Sequence, residues 1–147
     1  MSDNLTELET WLSPLMAKLE PQERTRLARE AAREIRKNQT KRITAQKNPD
    51  GSAYEKRKPR KLREKRGRIK KKMFQKLKMA RYLKAQGNEQ AVTVGFTGRV
   101  ARIARVHQYG LKDRAGRGAP EVRYARRELL GLSENDLEII RDAIIGT

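Results

Sequence analysis

His107 is the only histidine in the chain, and there is no cysteine. A nucleophilic triad needs a histidine held between a nucleophile and an orienting acid, and a zinc centre needs several histidine or cysteine ligands. One imidazole supplies neither a histidine-rich metal site nor a cysteine-based one. The absence of cysteine also excludes disulfides and thiolate chemistry. His107 recurs at helical spacing with Val100, Ile103 and Ala104, so the expectation is a packed, hydrogen-bonded imidazole rather than a general base. Gly116 and Gly118 belong to no phosphate-loop spacing, because no glycine is followed by lysine and a hydroxyl residue. Asp50 with Glu55, Lys56 and Lys58 has the residue types of a magnesium nuclease. Such a site needs its acids on adjoining rigid strands, and the segment has no strand pattern. The expectation is therefore a non-enzyme with no catalytic residue, no cofactor and no metal.

The chemistry that remains is electrostatic. Lysine and arginine number 36 against 18 acids, a net charge of +18, and the excess is concentrated. From Lys41 to Lys84 there are 19 basic residues and three acids, whereas the remainder is nearly balanced. The centre of the run is Lys56, Arg57, Lys58, Arg60, Lys61, Arg63, Lys65, Arg66, Arg68, Lys70, Lys71 and Lys72. These side chains would contact phosphates without reading sequence, or meet an acidic protein face. Tyr54, Phe74 and Tyr82 have the ring chemistry to stack on bases, but their spacing suits core packing better.

Several elements must carry these groups. Leu5, Leu8, Trp11, Leu12, Leu15, Met16 and Leu19 predict an amphipathic first helix. Pro21 suits the first turn of a second, whose stripe of Leu27, Ala28, Ala31, Ala32 and Ile35 allows close approach. A helical hairpin over 1–46 follows. On the second helix Arg24, Arg26, Arg29, Arg33 and Arg36 alternate with Glu23, Glu30 and Glu34, the pattern of a solvated and paired face. Asn48-Pro49-Asp50-Gly51 is a turn. From Glu55 to Lys72 there is too little apolar surface for the chain to order itself, and 47–72 reads as a basic arm or long loop.

From 73 to 147 the pattern is α+β. Met73, Phe74, Leu77, Ala80 and Leu83 predict a short helix ended by Gly87. Val92, Val94 and Phe96 alternate as a strand. Val100 to His107 returns to helical spacing before Gly110, and Leu111 to Pro120 reads as a loop before a short strand at 121–124. Ser133 with Asp136 resembles a helix-capping box, and Leu137, Ile140 and Ile144 line a closing helix. The fold expected is a single α+β domain with an N-terminal helical hairpin, a basic arm, a small antiparallel sheet with packed helices, and a C-terminal helix. No window approaches 18 consecutive apolar residues, and Met1-Ser2-Asp3-Asn4 does not open a signal peptide. The expectation is synthesis in the cytoplasm and no membrane partner.

Taken together, Arg42-Ile43, Gln46, Pro49-Asp50-Gly51, Tyr54, Gly67-Arg68-Ile69-Lys70, Met73-Phe74, Ala104-Arg105-Val106-His107-Gln108-Tyr109-Gly110, Arg127 and Leu130-Gly131 resemble the phage virion morphogenesis family of temperate, contractile-tailed phages. The likeness runs through nearly the whole chain in order. It implies a virion component at the head-proximal end of the tail, made in the bacterial host, which finishes the tail and lets heads join. Its implied partners are other tail and neck proteins (a tail terminator or tube, a head connector) and genomic DNA in the channel. Axial symmetry implies a ring, with about six copies in the family. Leu8, Trp11, Leu12, Leu15, Leu137, Ile140 and Ile144 are then candidates for subunit contacts. The alternative is a sequence-independent nucleic-acid-binding protein that uses the arm alone.

Overall fold

A computed structural model describes residues 14, 17–56, 72–114 and 117–145, with backbone alone for 144 and 145. Among these residues there are three helices and two small antiparallel sheets, an α+β arrangement. Helix α1 spans Pro21–Thr44, with proline in its first turn as the sequence predicts. Its buried face is Leu27, Ala28, Ala31, Ala32, Ile35, Gln39 and Ile43, spaced by three and four. The first helix of the expected hairpin falls almost wholly outside the described residues, and with it Leu8, Trp11, Leu12 and Leu15.

The small-residue stripe of α1 is used by a hairpin. Strand β1, Leu83–Gly87, pairs antiparallel with β2, Val92–Phe96, from Leu83 opposite Phe96 to Gly87 opposite Val92. In the connecting loop, Asn88 Oδ1 accepts from the backbone N–H groups of Gln90 and Ala91, both at 2.8 Å. At Gly87 a β-carbon would lie 2.4 Å from the backbone carbon of Ala28, so only glycine admits this approach.

Strand β1 corrects the short helix expected over 73–83. Residues 75–82 form successive turns, and Leu83 is fully buried at the head of the strand. Phe74 takes a left-handed backbone conformation (φ +67°), which interrupts any helix running through it. Extended pairing with β2 then outweighs the local period.

Helix α2, Val100–Tyr109, ends at Gly110, whose φ of +63° lets its N–H reach Val106 O. Beyond it, β3 (Lys112–Arg114) pairs with β4 (Glu121–Arg123), so part of the predicted 111–120 loop is a strand. Helix α3, Glu134–Ile145, closes the described chain. Its start is a reciprocal capping box: Asp136 N donates to Ser133 Oγ at 3.1 Å, and Ser133 N donates to Asp136 Oδ2 at 2.9 Å. Ile43, Tyr54, Met73, Leu77, Ala104 and Leu129 form the core cluster, with Phe74, Phe96 and Val100 against it. No helix among the described residues is long and apolar enough to cross a membrane.

Candidate functional site

Several of the residues that carry the family resemblance, Arg42, Gln46, Tyr54, Gln108 and Arg127 among them, converge on one polar network. It begins where α1 ends. Gln46 has φ +59°, its N–H bonds Ile43 O, and the next N–H, from Lys47, reaches back to Arg42 O at 3.2 Å. This is a left-handed helix terminator in which glutamine stands where glycine is usual. The side chain gives the reason. Gln46 Nε2 donates to Met73 O at 2.8 Å, and Gln46 Oε1 accepts from Met73 N at 2.8 Å. One amide side chain thus holds both backbone groups of the residue at the far end of the basic run.

The near end is held by a different side chain. Arg127, 6% exposed, donates from Nε to Glu55 O at 2.7 Å and from Nη2 to Lys56 O at 3.3 Å. Its own N–H bonds His107 O at 2.8 Å, tying the clamp to α2. Lys56 and Lys72, the outermost bases of the predicted contact set, are exposed beside these anchors. The others of that set, Arg57 to Lys71, lie outside the described residues.

Between the two anchors sits Arg42, facing carbonyls rather than acids. Nη1 donates to Lys47 O (2.9 Å) and Glu128 O (2.8 Å), while Nη2 donates to Leu129 O (2.8 Å) and to Gln39 Oε1. A planar fork with fixed donors can collect four such acceptors, which a lysine ammonium would not match. Tyr54 Oη donates to Glu128 O at 2.8 Å and accepts from Arg42. Burial raises the Tyr54 pKa, with the adjacent guanidinium pulling in the opposite direction. Gln108 closes the far side: its Oε1 accepts from Leu129 N and Leu130 N, and its Nε2 donates to Leu130 O at 2.8 Å.

His107 lies in an edge-to-face aromatic row, 4.9 Å from Phe74 and 5.0 Å from Tyr124, and Tyr54 extends the row from Phe74 at 5.7 Å. This is the packed imidazole expected, and it places Tyr54 and Phe74 inside the fold rather than in position to stack on bases. Asp50 is turned into its own loop. Its carboxylate accepts from Ser52 Oγ and Ser52 N, which lowers its pKa. Among the described residues, no group of three or more His, Cys, Asp or Glu side chains is arranged to hold a metal ion.

The arginine face of α1 is less paired than its sequence pattern suggests. Among the described residues its one ion pair is Lys37 with Glu34, at 3.4 Å and well exposed. Arg36 turns inward and donates to Leu83 O at 2.8 Å, fastening β1 to the helix. Of the subunit-contact candidates on α3, Leu137 is buried within this chain and Ile140 is half-buried; Ile144 has no described side chain.

Sequence reasoning missed a second knot. Buried Asp136 accepts from Asn38 Nδ2 at 2.9 Å and from Gln39 Nε2 at 3.2 Å, so the capping acid of α3 also fastens that helix to α1. The available signal was Gln39, a polar residue at the core-facing position between Ile35 and Ile43. Asn48 Oδ1, accepting from Glu128 N at 2.9 Å, likewise turns a local turn residue into a long-range contact.

The network consists mainly of side-chain bonds to backbone groups distant in the chain, and it holds Lys56 and Met73, which flank the basic run. The profile of the phage virion morphogenesis family matches residues 3–147, and the chain belongs to that family. It is similar to the tail completion protein S of Escherichia phage P2, at 38% identity over 138 residues, covering 93% of this chain and 92% of that protein. No solved structure matches it.

Proposed function

We propose that this protein is a structural component of the phage tail, which completes the tail at its head-proximal end and allows heads to join. The observation that carries this reading is the near full-length similarity to a tail completion protein. The polar network supports it, because it invests its side chains in anchoring a basic segment rather than in assembling reactive groups. In this reading the protein acts as a ring of about six copies around the DNA channel. Lys56 to Lys72 then meet acidic surfaces of neighbouring neck proteins, with some side chains left for the genome.

Mass spectrometry of purified particles tests the location. The expected result is the protein at a fixed copy number in intact virions and in isolated tails. Its presence in the lysate but not in purified particles would overturn the tail reading in favour of a free nucleic-acid-binding protein.

A further inference from the structure

Two helix ends in this fold are charged against their own dipoles. The start of α2 carries no acid, and it opens instead with Arg99 at the cap and Arg102 in the first turn. The last turn of α3 carries no base and includes Asp142. Partial positive charge at a helix N-terminus favours anions and partial negative charge at a C-terminus favours cations, so both ends are unfavourable as they stand.

Each end continues into an exposed face, that of α2 carrying arginines and that of α3 mainly acids. On α2, Arg102, Arg105 and Tyr109 follow one another at three and four residues, all exposed, with Tyr109 61% exposed. Arg102 reaches Asp113 of β3 at 2.6 Å, and Val122, 39% exposed, stands opposite Asp113 in the ladder, so the face runs on into the β3–β4 hairpin. Arginine and tyrosine around exposed aliphatic area are the residue types enriched in protein interfaces. On α3, Glu134, Glu138 and Asp142 follow at four-residue steps, all exposed, with exposed Arg141 beside Asp142. Like charges at that spacing repel, and among the described residues none of the three makes an ion pair.

We infer that these faces bind each other between copies: the Arg102–Arg105–Tyr109 face of α2 receives the Glu134–Glu138–Asp142 face of α3 from a second copy of this chain. One contact sets Arg105 against the self-repelling acidic row, and none of these side chains makes an ion pair among the described residues. The two patches differ, so each contact leaves one free patch at either end. The association is head-to-tail and grows until it closes as a ring. This deepens the ring reading and rests on it for the closure.

The full-length chain has no cysteine, so single introduced thiols report contacts cleanly. Arg105→Cys and Glu138→Cys are made separately, mixed in equal amounts and oxidised mildly at about 0.1 M salt, where arm-to-arm repulsion is screened beyond about 10 Å but contact pairs persist. Exposed Glu30→Cys on α1 replaces Glu138→Cys as the control. The expected result is a mixed Arg105→Cys/Glu138→Cys disulfide several-fold richer than the mixed product of the control. Equal yields would overturn the interface. So would protection of the thiol at 105 by duplex DNA together with random disulfides, which would assign the face to nucleic acid. Failure here with the protein still found in virions removes this interface alone; a specific disulfide with the protein missing from virions removes the tail reading alone.

Discussion

Gln46 holds a left-handed backbone position at a cost of about 1–3 kcal/mol for a residue other than glycine, and its amide recovers that cost through two bonds to Met73. Gln46→Ala keeps the strain and loses the bonds, for an expected loss of about 2–3 kcal/mol. Gln46→Gly relieves the strain as well and should fall between alanine and the natural protein. Urea denaturation orders the three, and a glycine variant more stable than the natural protein would mean that the clamp on Met73 contributes little. Tyr54 gives a pH test. Its pKa is raised in the fold, chiefly by burial, so the folded state holds the phenolic proton more tightly than the unfolded chain does. That stability is fully present below the unfolded value near 10 and is lost as pH climbs through it toward the raised folded value. Melting temperature against pH in the alkaline range should fall more steeply for the natural protein than for Tyr54→Phe.

At the scale of elements, the seat of β1 on α1 depends on one missing β-carbon. At Gly87 that carbon would lie within 2.7 Å of Ala28 and Arg29 backbone atoms, which cannot rotate away, whereas at Gly95 it would meet nothing within 4 Å. Gly87→Ala should therefore cost about 3 kcal/mol or more through overpacking, while Gly95→Ala changes stability by less than about 1 kcal/mol. Chemical denaturation of both variants settles the comparison, and equal effects would contradict the close approach. Asp136 shows the same economy for α3. A carboxylate that caps its own helix and accepts from Asn38 and Gln39 makes the closing helix dependent on α1.

For the whole molecule, +18 of net charge must be accommodated in any assembly that brings copies together. In the proposed ring, basic segments are repeated around one axis, and DNA must slide past them at ejection. A uniformly adhesive wall would oppose that movement, so most of the segment is expected to be neutralised by acidic protein. Reversing Lys56, Arg57, Lys58, Arg60 and Lys61 to glutamate should then stop production of infectious particles while filled heads and separate tails still accumulate. Electron microscopy of such lysates reads the outcome. Normally joined, infectious particles in abundance would show that this part of the segment is only solvated.

Much of the local structure was legible because it is set by neighbours in the chain. Pro21 opens a helix, Asn48 to Gly51 turns, Gly110 stops α2 and Ser133 with Asp136 starts α3, each through bonds or sterics within a few residues. Val92 to Phe96 is the strand its pattern predicts, although burial along it deepens toward Phe96 instead of alternating. The packed role of His107 followed from its apolar spacing, and the family from the order of short motifs along the chain. Strand β1 was not legible, since Leu83-Lys84-Ala85-Gln86-Gly87 has weak strand character and becomes a strand only by pairing with β2 on the surface of α1. Nor was the clamp. Arg42, Gln46, Gln108 and Arg127 bond mainly to backbone groups of Leu129, Met73, Leu130 and Glu55, and a backbone carbonyl looks alike at every position in a sequence. The sequence by itself therefore determined the charge, the family and most element boundaries. Which backbone groups those side chains seize was decided only by tertiary structure, because donors 20 to 90 residues from their acceptors meet only when the helices and hairpins pack.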